Sequence, residues 1–261
     1  MSNPLDLILH ATAAETASGV TAATDIGPRN ALRLTLEASA FVGAGAKLTV
    51  EVETSPNGTS GWKRVGALPA LTVETTVEET FGSVLRYVRF RWALDGTTPS
   101  VAFGLTGSAH VTYANLRDID RLGMAKAALA AVPVSDKVEA LIAASDTSDR
   151  YLCREFTLPL VKWPSDLRRF VVHIAVYDLM CVRGFQPEGA DALIVKRYDD
   201  AIAQLREIGD GKACMPGIED SDDGDSSSSS DGDYDVAELS PGVFFGAYPF
   251  GEEVDLTGLD T

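Results

Sequence analysis

Two periods of apolar and polar residues divide this chain. Through residue 112 the period is two. Ala31-Leu-Arg-Leu-Thr-Leu-Glu37, Lys47-Leu-Thr-Val-Glu-Val-Glu53 and Val84-Leu-Arg-Tyr-Val-Arg-Phe-Arg-Trp92 alternate as half-buried strands do. Arg86, Arg89 and Arg91 do not all share one face, and residues 100–112 supply a further strand. Turn chemistry falls between them, at Gly43-Ala-Gly45, Ser55-Pro-Asn-Gly58 and Asp95-Gly96. Short strands separated by such turns predict an antiparallel β-sandwich over residues 1–112.

From 113 to 215 the period becomes helical. Asn115 is placed to cap a short helix reaching Leu122, with Asp118 in its first turn. Ser135 is predicted to cap a second, whose stripe is Val138, Leu141, Ile142, Leu152 and Phe156, with the polar run Asp146-Thr-Ser-Asp149 in its middle. Leu167 to Val182 is apolar on nearly every face, between Pro164, suited to a first turn, and Gly184, suited to a left-handed cap. Such a helix is buried with neighbours on several sides. It is too short and too interrupted by charge to span a bilayer, which takes ~20 apolar residues. Its expected core residues are Phe170, Val171, Ile174 and Tyr177, joined by Tyr198 from a last helix that ends at Gly209 or Gly211. The fold class is therefore α+β: an N-terminal antiparallel β-sandwich (1–112), a small four-helix domain (113–215) and an extended acidic and aromatic C-terminal arm (216–261).

The arm has two parts. Residues 216–240 are mostly Gly, Ser, Asp and Glu with a serine run, a composition that reads as a flexible, self-repelling linker. Beyond it come Val243, Phe244, Phe245, Tyr248 and Phe250. Large apolar side chains gain ~1.5–3 kcal/mol each on burial, so this segment either folds back on its own helices or docks on a partner. Docking on a partner is the expectation. Asp220-x-Asp222 and Asp231-x-Asp233-x-Asp235 approach calcium-loop spacing, but the latter lacks the Gly at its sixth position and the closing Glu.

Several segments in order carry a resemblance. Tyr113-Ala114, Leu116-Arg-Asp-Ile119 and Leu122-Gly123 come first; then Arg154-Glu-Phe-Thr-Leu-Pro-Leu160, the Leu167–Tyr177 helix, Arg183-Gly184, and Arg197-Tyr-Asp-Asp-Ala201 through Lys212. Together, over 113–215, they resemble the Mu-like phage head–tail connector (adaptor) family. His173 stands where that family's pattern has Asp. The resemblance implies a helical connector domain in a homo-oligomeric ring of roughly a dozen subunits. It also implies portal protein and tail or neck proteins as partners, the virion neck as location, and DNA passing nearby without specific binding. The family tends to end in a short aromatic segment, which fits the docking arm.

Composition narrows the alternatives. A net charge of −16 argues against gripping nucleic acid. The excess is local, because no Lys or Arg follows Lys212. Cys153, Cys181 and Cys214 are too few and too scattered for a metal set and read as reduced thiols, two of them on core-like helices. His10 and His110 are lone. Asp199 and Asp200 are adjacent, so they face apart and pair more readily with Arg150, Arg154 or Arg197 than with each other. No phosphate loop, HExxH or GxSxG occurs, and no enzyme, cofactor or metal is expected. Neither a signal peptide nor a membrane segment is expected. The alternative is a virion decoration or glycan-binding module: Trp62, beyond the Ser-Pro-Asn-Gly turn, offers either a sugar-stacking platform or a loop anchor.

Overall fold

The computed structural model describes residues 4–124, 126–184, 189 and 191–218, apart from the side chains of Lys126 and Arg183. The arm residues Val243, Phe244, Phe245, Tyr248 and Phe250, and both aspartate repeats, lie outside them.

Seven antiparallel strands form one sheet: β1 (Leu5–Glu15), β2 (Gly19–Val20), β3 (Thr24–Asp25), β4 (Ala31–Ser55), β5 (Lys63–Ala67), β6 (Thr75–Gly82) and β7 (Tyr87–His110). Its organisation differs from the predicted set of short strands. β4 and β7 are 25 and 24 residues long and pair along nearly their whole length. β6 flanks the first part of β4, Ala31–Ala38, and β1 flanks the last part of β7, Val101–Ala109, while β5 flanks the other end of β4 and β2 and β3 the other end of β7.

Two predicted turns are thus bends inside continuous strands. Gly43, Gly45 and Gly96 have φ of 104°, 69° and 119°, and the β4–β7 register shifts at Ala38/Ala40, Val42/Ala44 and Ala44/Lys47. Glycine at positive φ inserts an unpaired residue and swings the strand without reversing it. The shifts also change which side chains face inward. Leu48, Val50 and Val52 oppose Leu94, Trp92 and Phe90, whereas Leu36 and Ala38 oppose Leu105 and Phe103. The inward set of β7 therefore moves from even to odd residue numbers, which keeps one apolar face throughout. Inward residues from both ends of the sheet join a single cluster, with Leu34, Val50, Phe90, Phe103 and Leu105 among its members. Only Ser55-Pro-Asn-Gly58 reverses the chain as predicted, connecting β4 to β5 with Ser55 and Asn57 hydrogen-bonding across the loop.

The helical part contains α1 (Leu116–Asp118), α2 (Val134–Leu152), α3 (Ser165–Arg183) and α4 (Ala192–Gly209). Asn115 caps α1 reciprocally with Asp118, and the chain continues as a π-helical turn over Ile119–Gly123. Ser135 does not cap α2: the helix begins one residue earlier with Pro133 as its cap. α3 starts after Pro164 and ends at Gly184, whose φ is 84°. It is the central helix, packing on α2, α4 and the 119–123 turn. Leu167, Val171, Val172, Ile174, Ala175, Val176, Leu179 and Met180 are buried, while Phe170, Tyr177 and Tyr198 are half-buried. One face nevertheless reaches solvent, with Val182 89% exposed. Cys153, Cys181 and Cys214 are exposed, none of them in a core. Among the described residues no helix is long and apolar enough to cross a membrane.

The predicted boundary at 112/113 is crossed by packing. Val111, Tyr113 and Ala114 belong to the helical core, and Ala31 of β4 packs with Val138 and Ile142 of α2. Asn30 holds Thr112 through its backbone N–H and hydroxyl, at 2.7 and 3.0 Å. Glu139 of α2 accepts from Arg33 of β4, with Nε 2.9 Å away, and from Thr80 of β6.

Candidate interaction surface

The polar run that interrupts α2 in the sequence is explained by what it faces. Ser145 and Ser148 return their hydroxyls to the carbonyls of Leu141 and Ala144, and Asp149 is buried with them. Tyr113 lies over this stretch: its hydroxyl donates to Asp149 and its N–H donates to Ser145 Oγ at 3.2 Å. Trp163 donates to the Tyr113 carbonyl at 2.7 Å and meets its ring edge-on. Burial, followed by the charge of Asp149, pushes the Tyr113 hydroxyl pKa far up. Locked this way, Tyr113 can join α2 to the segment before α3, but it cannot move a proton near neutral pH.

The opposite side of α2 is open. Between α2, α3 and the segment preceding α2 lies a groove of about 800 Å³. Ala127, Ala130, Ala131 and Pro133 line one wall, Ala140 and Ala143 the α2 wall, and Asp178, Leu179 and Val182 the α3 wall. Six alanines, Ala128 with the five just named, leave the space that larger side chains would fill. Exposed Val134 follows Pro133, and exposed Val182 lines the groove, so apolar surface continues past it. Asp178 is half-buried, and desolvation pushes its carboxyl above the ordinary range. Among the described residues it has no hydrogen-bond or ion-pair partner. No motif in the sequence marks this groove, although the alanine-rich run 127–131 is a visible sign of spare volume.

The other described candidates each make definite packing or polar contacts. Trp62 is half-buried, with the Arg89 guanidinium 4.2 Å from its ring centroid. Arg89 and Arg91 both donate to Glu53, at 2.6 and 3.1 Å. Burial alone would raise the Glu53 carboxyl, yet these two arginines bring it below its usual value. Trp62 thus anchors its loop to the sheet through one ring face. Asp25 is held down to about 2 by hydrogen bonds from Arg86 and the Gly27 N–H. His10 stacks on Phe103 at 4.5 Å and approaches Glu15 at 3.3 Å, and His110 meets Ser108 at 2.8 Å. Burial, then nearby arginines, lowers the pKa of both His110 and His173. Two of the three arginines proposed as partners for Asp199 and Asp200 go elsewhere: Arg154 pairs with Asp210 at 3.0 Å and Arg197 donates to the Gly123 carbonyl at 3.1 Å. Among the described residues no group of three or more His, Cys, Asp or Glu side chains is placed to hold a metal ion.

Comparison with known proteins adds one informative match. No curated protein matches the chain. Among solved structures, that of the PBSX exported protein XepA matches with 20% identity and a TM-score of 0.32, covering 43% of this chain and 39% of that one. The chain thus spans well under half of that protein, and so low a score defines no shared fold. The informative match is the Bacteriophage Mu, Gp36 family model, which covers residues 113–232: over this segment, from Tyr113 through the three long helices, the chain is similar to a Mu-like phage family.

Proposed function

We propose that the protein is a structural virion component of the head–tail connector class, which assembles as a ring beneath the portal and joins capsid to tail. The observation that carries this reading is the match of 113–232 to a Mu phage family, over the segment whose described residues build most of the helical core around α3. The mechanism is geometric, and the protein catalyses nothing. Helical units close side by side into a cyclic ring of roughly a dozen copies. The C-terminal arm residues Val243, Phe244, Phe245, Tyr248 and Phe250 latch a neighbouring component. A chain of net charge −16 suits a channel through which DNA must slide, because like charge opposes the counterion release that drives DNA binding. The N-terminal sheet, with one apolar cluster drawing on both its ends, is read as a sandwich folded from two bent strands and carried on the outside of the ring.

The test is composition and position. Virions purified to homogeneity should contain this polypeptide, and antibody labelling should place it at the neck. Virions that lack it would overturn the assignment, and label on the capsid shell would favour decoration instead.

A further inference from the structure

We infer that the α2–α3 groove receives the C-terminal aromatic segment of a second copy of this chain, with Tyr248 hydrogen-bonded to Asp178. The inference rests on the connector reading for its biological setting but on the groove itself for its chemistry. Residues 241–251, Pro-Gly-Val-Phe-Phe-Gly-Ala-Tyr-Pro-Phe-Gly, carry no charge, and their one side-chain donor is the Tyr248 hydroxyl. The groove is the complement: apolar walls, with Asp178 as a half-buried acceptor lacking a partner among the described residues. Its volume of about 800 Å³ is that of a pocket able to bury several rings. Of the other carboxylates that line it, Glu139 is engaged by Arg33 and Asp136 lies in the first turn of α2. An uncharged segment meets no repulsion from either.

Chain length permits the exchange. The described chain ends at Ile218, which packs on the helical core. The 24 residues from 219 to 242 have a root-mean-square reach of roughly 25–30 Å, which their acidic side chains extend by repulsion. That reach is about the width of a domain of this size, so a groove on the adjoining copy lies within it.

The experiment uses two full-length variants. In one, Ala143→Trp fills the groove from an exposed position on α2; in the other, Phe244, Phe245, Tyr248 and Phe250 are all replaced by Ser. Sedimentation of the wild-type chain should show concentration-dependent self-association, weakened at least about tenfold in either variant alone. An equimolar mixture of the two should restore association, because one supplies an arm and the other a groove; that rescue also shows that both variants fold. Tyr248→Phe and Asp178→Leu should each weaken association by roughly fivefold, without adding when combined, as expected for one shared hydrogen bond. A wild-type chain that stays monomeric at all concentrations, or a mixture that fails to associate, overturns the exchange. Additive effects of the two single substitutions overturn the pairing. Absence from virions would instead sink the connector reading and leave these results standing.

Discussion

Asp149 shows how a side chain that weakens a sequence expectation can be the one that fixes the structure. A carboxylate within a helix, 1% exposed, is costly unless hydrogen-bonded, and the Tyr113 hydroxyl supplies a bond. Tyr113→Phe keeps the ring and removes that donor. It should cost about 1.5–3 kcal/mol, the range for a hydrogen bond to a charged group, as read by urea denaturation. A loss within error of zero would mean that the other contacts of Asp149 satisfy it. The histidines make a second prediction. His110 and His173 have pKa values lowered by burial and by nearby arginines, Arg33 and Arg29 for the first and Arg197 and Arg169 for the second. Unfolded histidine titrates near 6.5, so below that pH the unfolded chain binds protons that the folded chain does not. Stability should therefore fall as pH drops from about 7 to about 5. Asp178, whose carboxyl is raised, contributes with the opposite sign and at lower pH. Melting temperature measured across that window should decline, and replacing both histidines with Gln should flatten the decline. A melting temperature that rises on acidification would show that burial of these rings is not what sets the pH response.

At the scale of elements, the strong periodicities were readable and their continuity was not. α3 stood out because its apolar residues cover most of its circumference and its ends are marked by Pro164 and Gly184. Ile174 is 2% exposed, so Ile174→Ala should cost about 2–5 kcal/mol through the cavity it leaves. A negligible loss in equilibrium unfolding would remove α3 from the centre of the core. The sheet was legible as strands, but its two long strands were not, because glycine at a bulge and glycine at a turn leave the same trace in sequence. Gly43 and Gly45 separate the two effects. A Cβ at Gly43 would lie 2.7 Å from the Thr97 carbonyl and 2.8 Å from that of Thr98, whereas one at Gly45 meets nothing within 4 Å. Both have positive φ. Gly45→Ala should cost only the backbone strain of roughly 1 kcal/mol, and Gly43→Ala should cost distinctly more, because β7 must also move. Equal losses would mean that the bend is not set by the close approach of the two strands. The groove beside α2 was missed for a related reason: a run of alanines reads as good helix former, and the volume it leaves empty is visible only once α3 is beside it.

At the scale of the whole molecule, the charge is distributed in a way that separates range from affinity. Every Lys and Arg lies at or before Lys212, while the segment joining the helices to the aromatic residues is acidic and the aromatic segment itself is uncharged. Electrostatics can extend such a tether, but apolar burial must hold its end. Two consequences distinguish this arrangement from a charged latch. Association through the arm should survive about 0.5 M salt, where the Debye length is only a few ångströms and exposed ion pairs are screened. It should fail when Phe244, Phe245, Tyr248 and Phe250 are replaced by Ser, a change that leaves the net charge untouched. In phage carrying that quadruple change, the helical units should still fold but the ring should lose the contact that the arm provides. The expected lysate contains filled heads and free tails in place of joined particles, counted by negative-stain electron microscopy. Phage that join normally with the aromatics gone, or particles whose necks come apart in high salt with the aromatics present, would assign the holding contact to charged surfaces elsewhere on the chain.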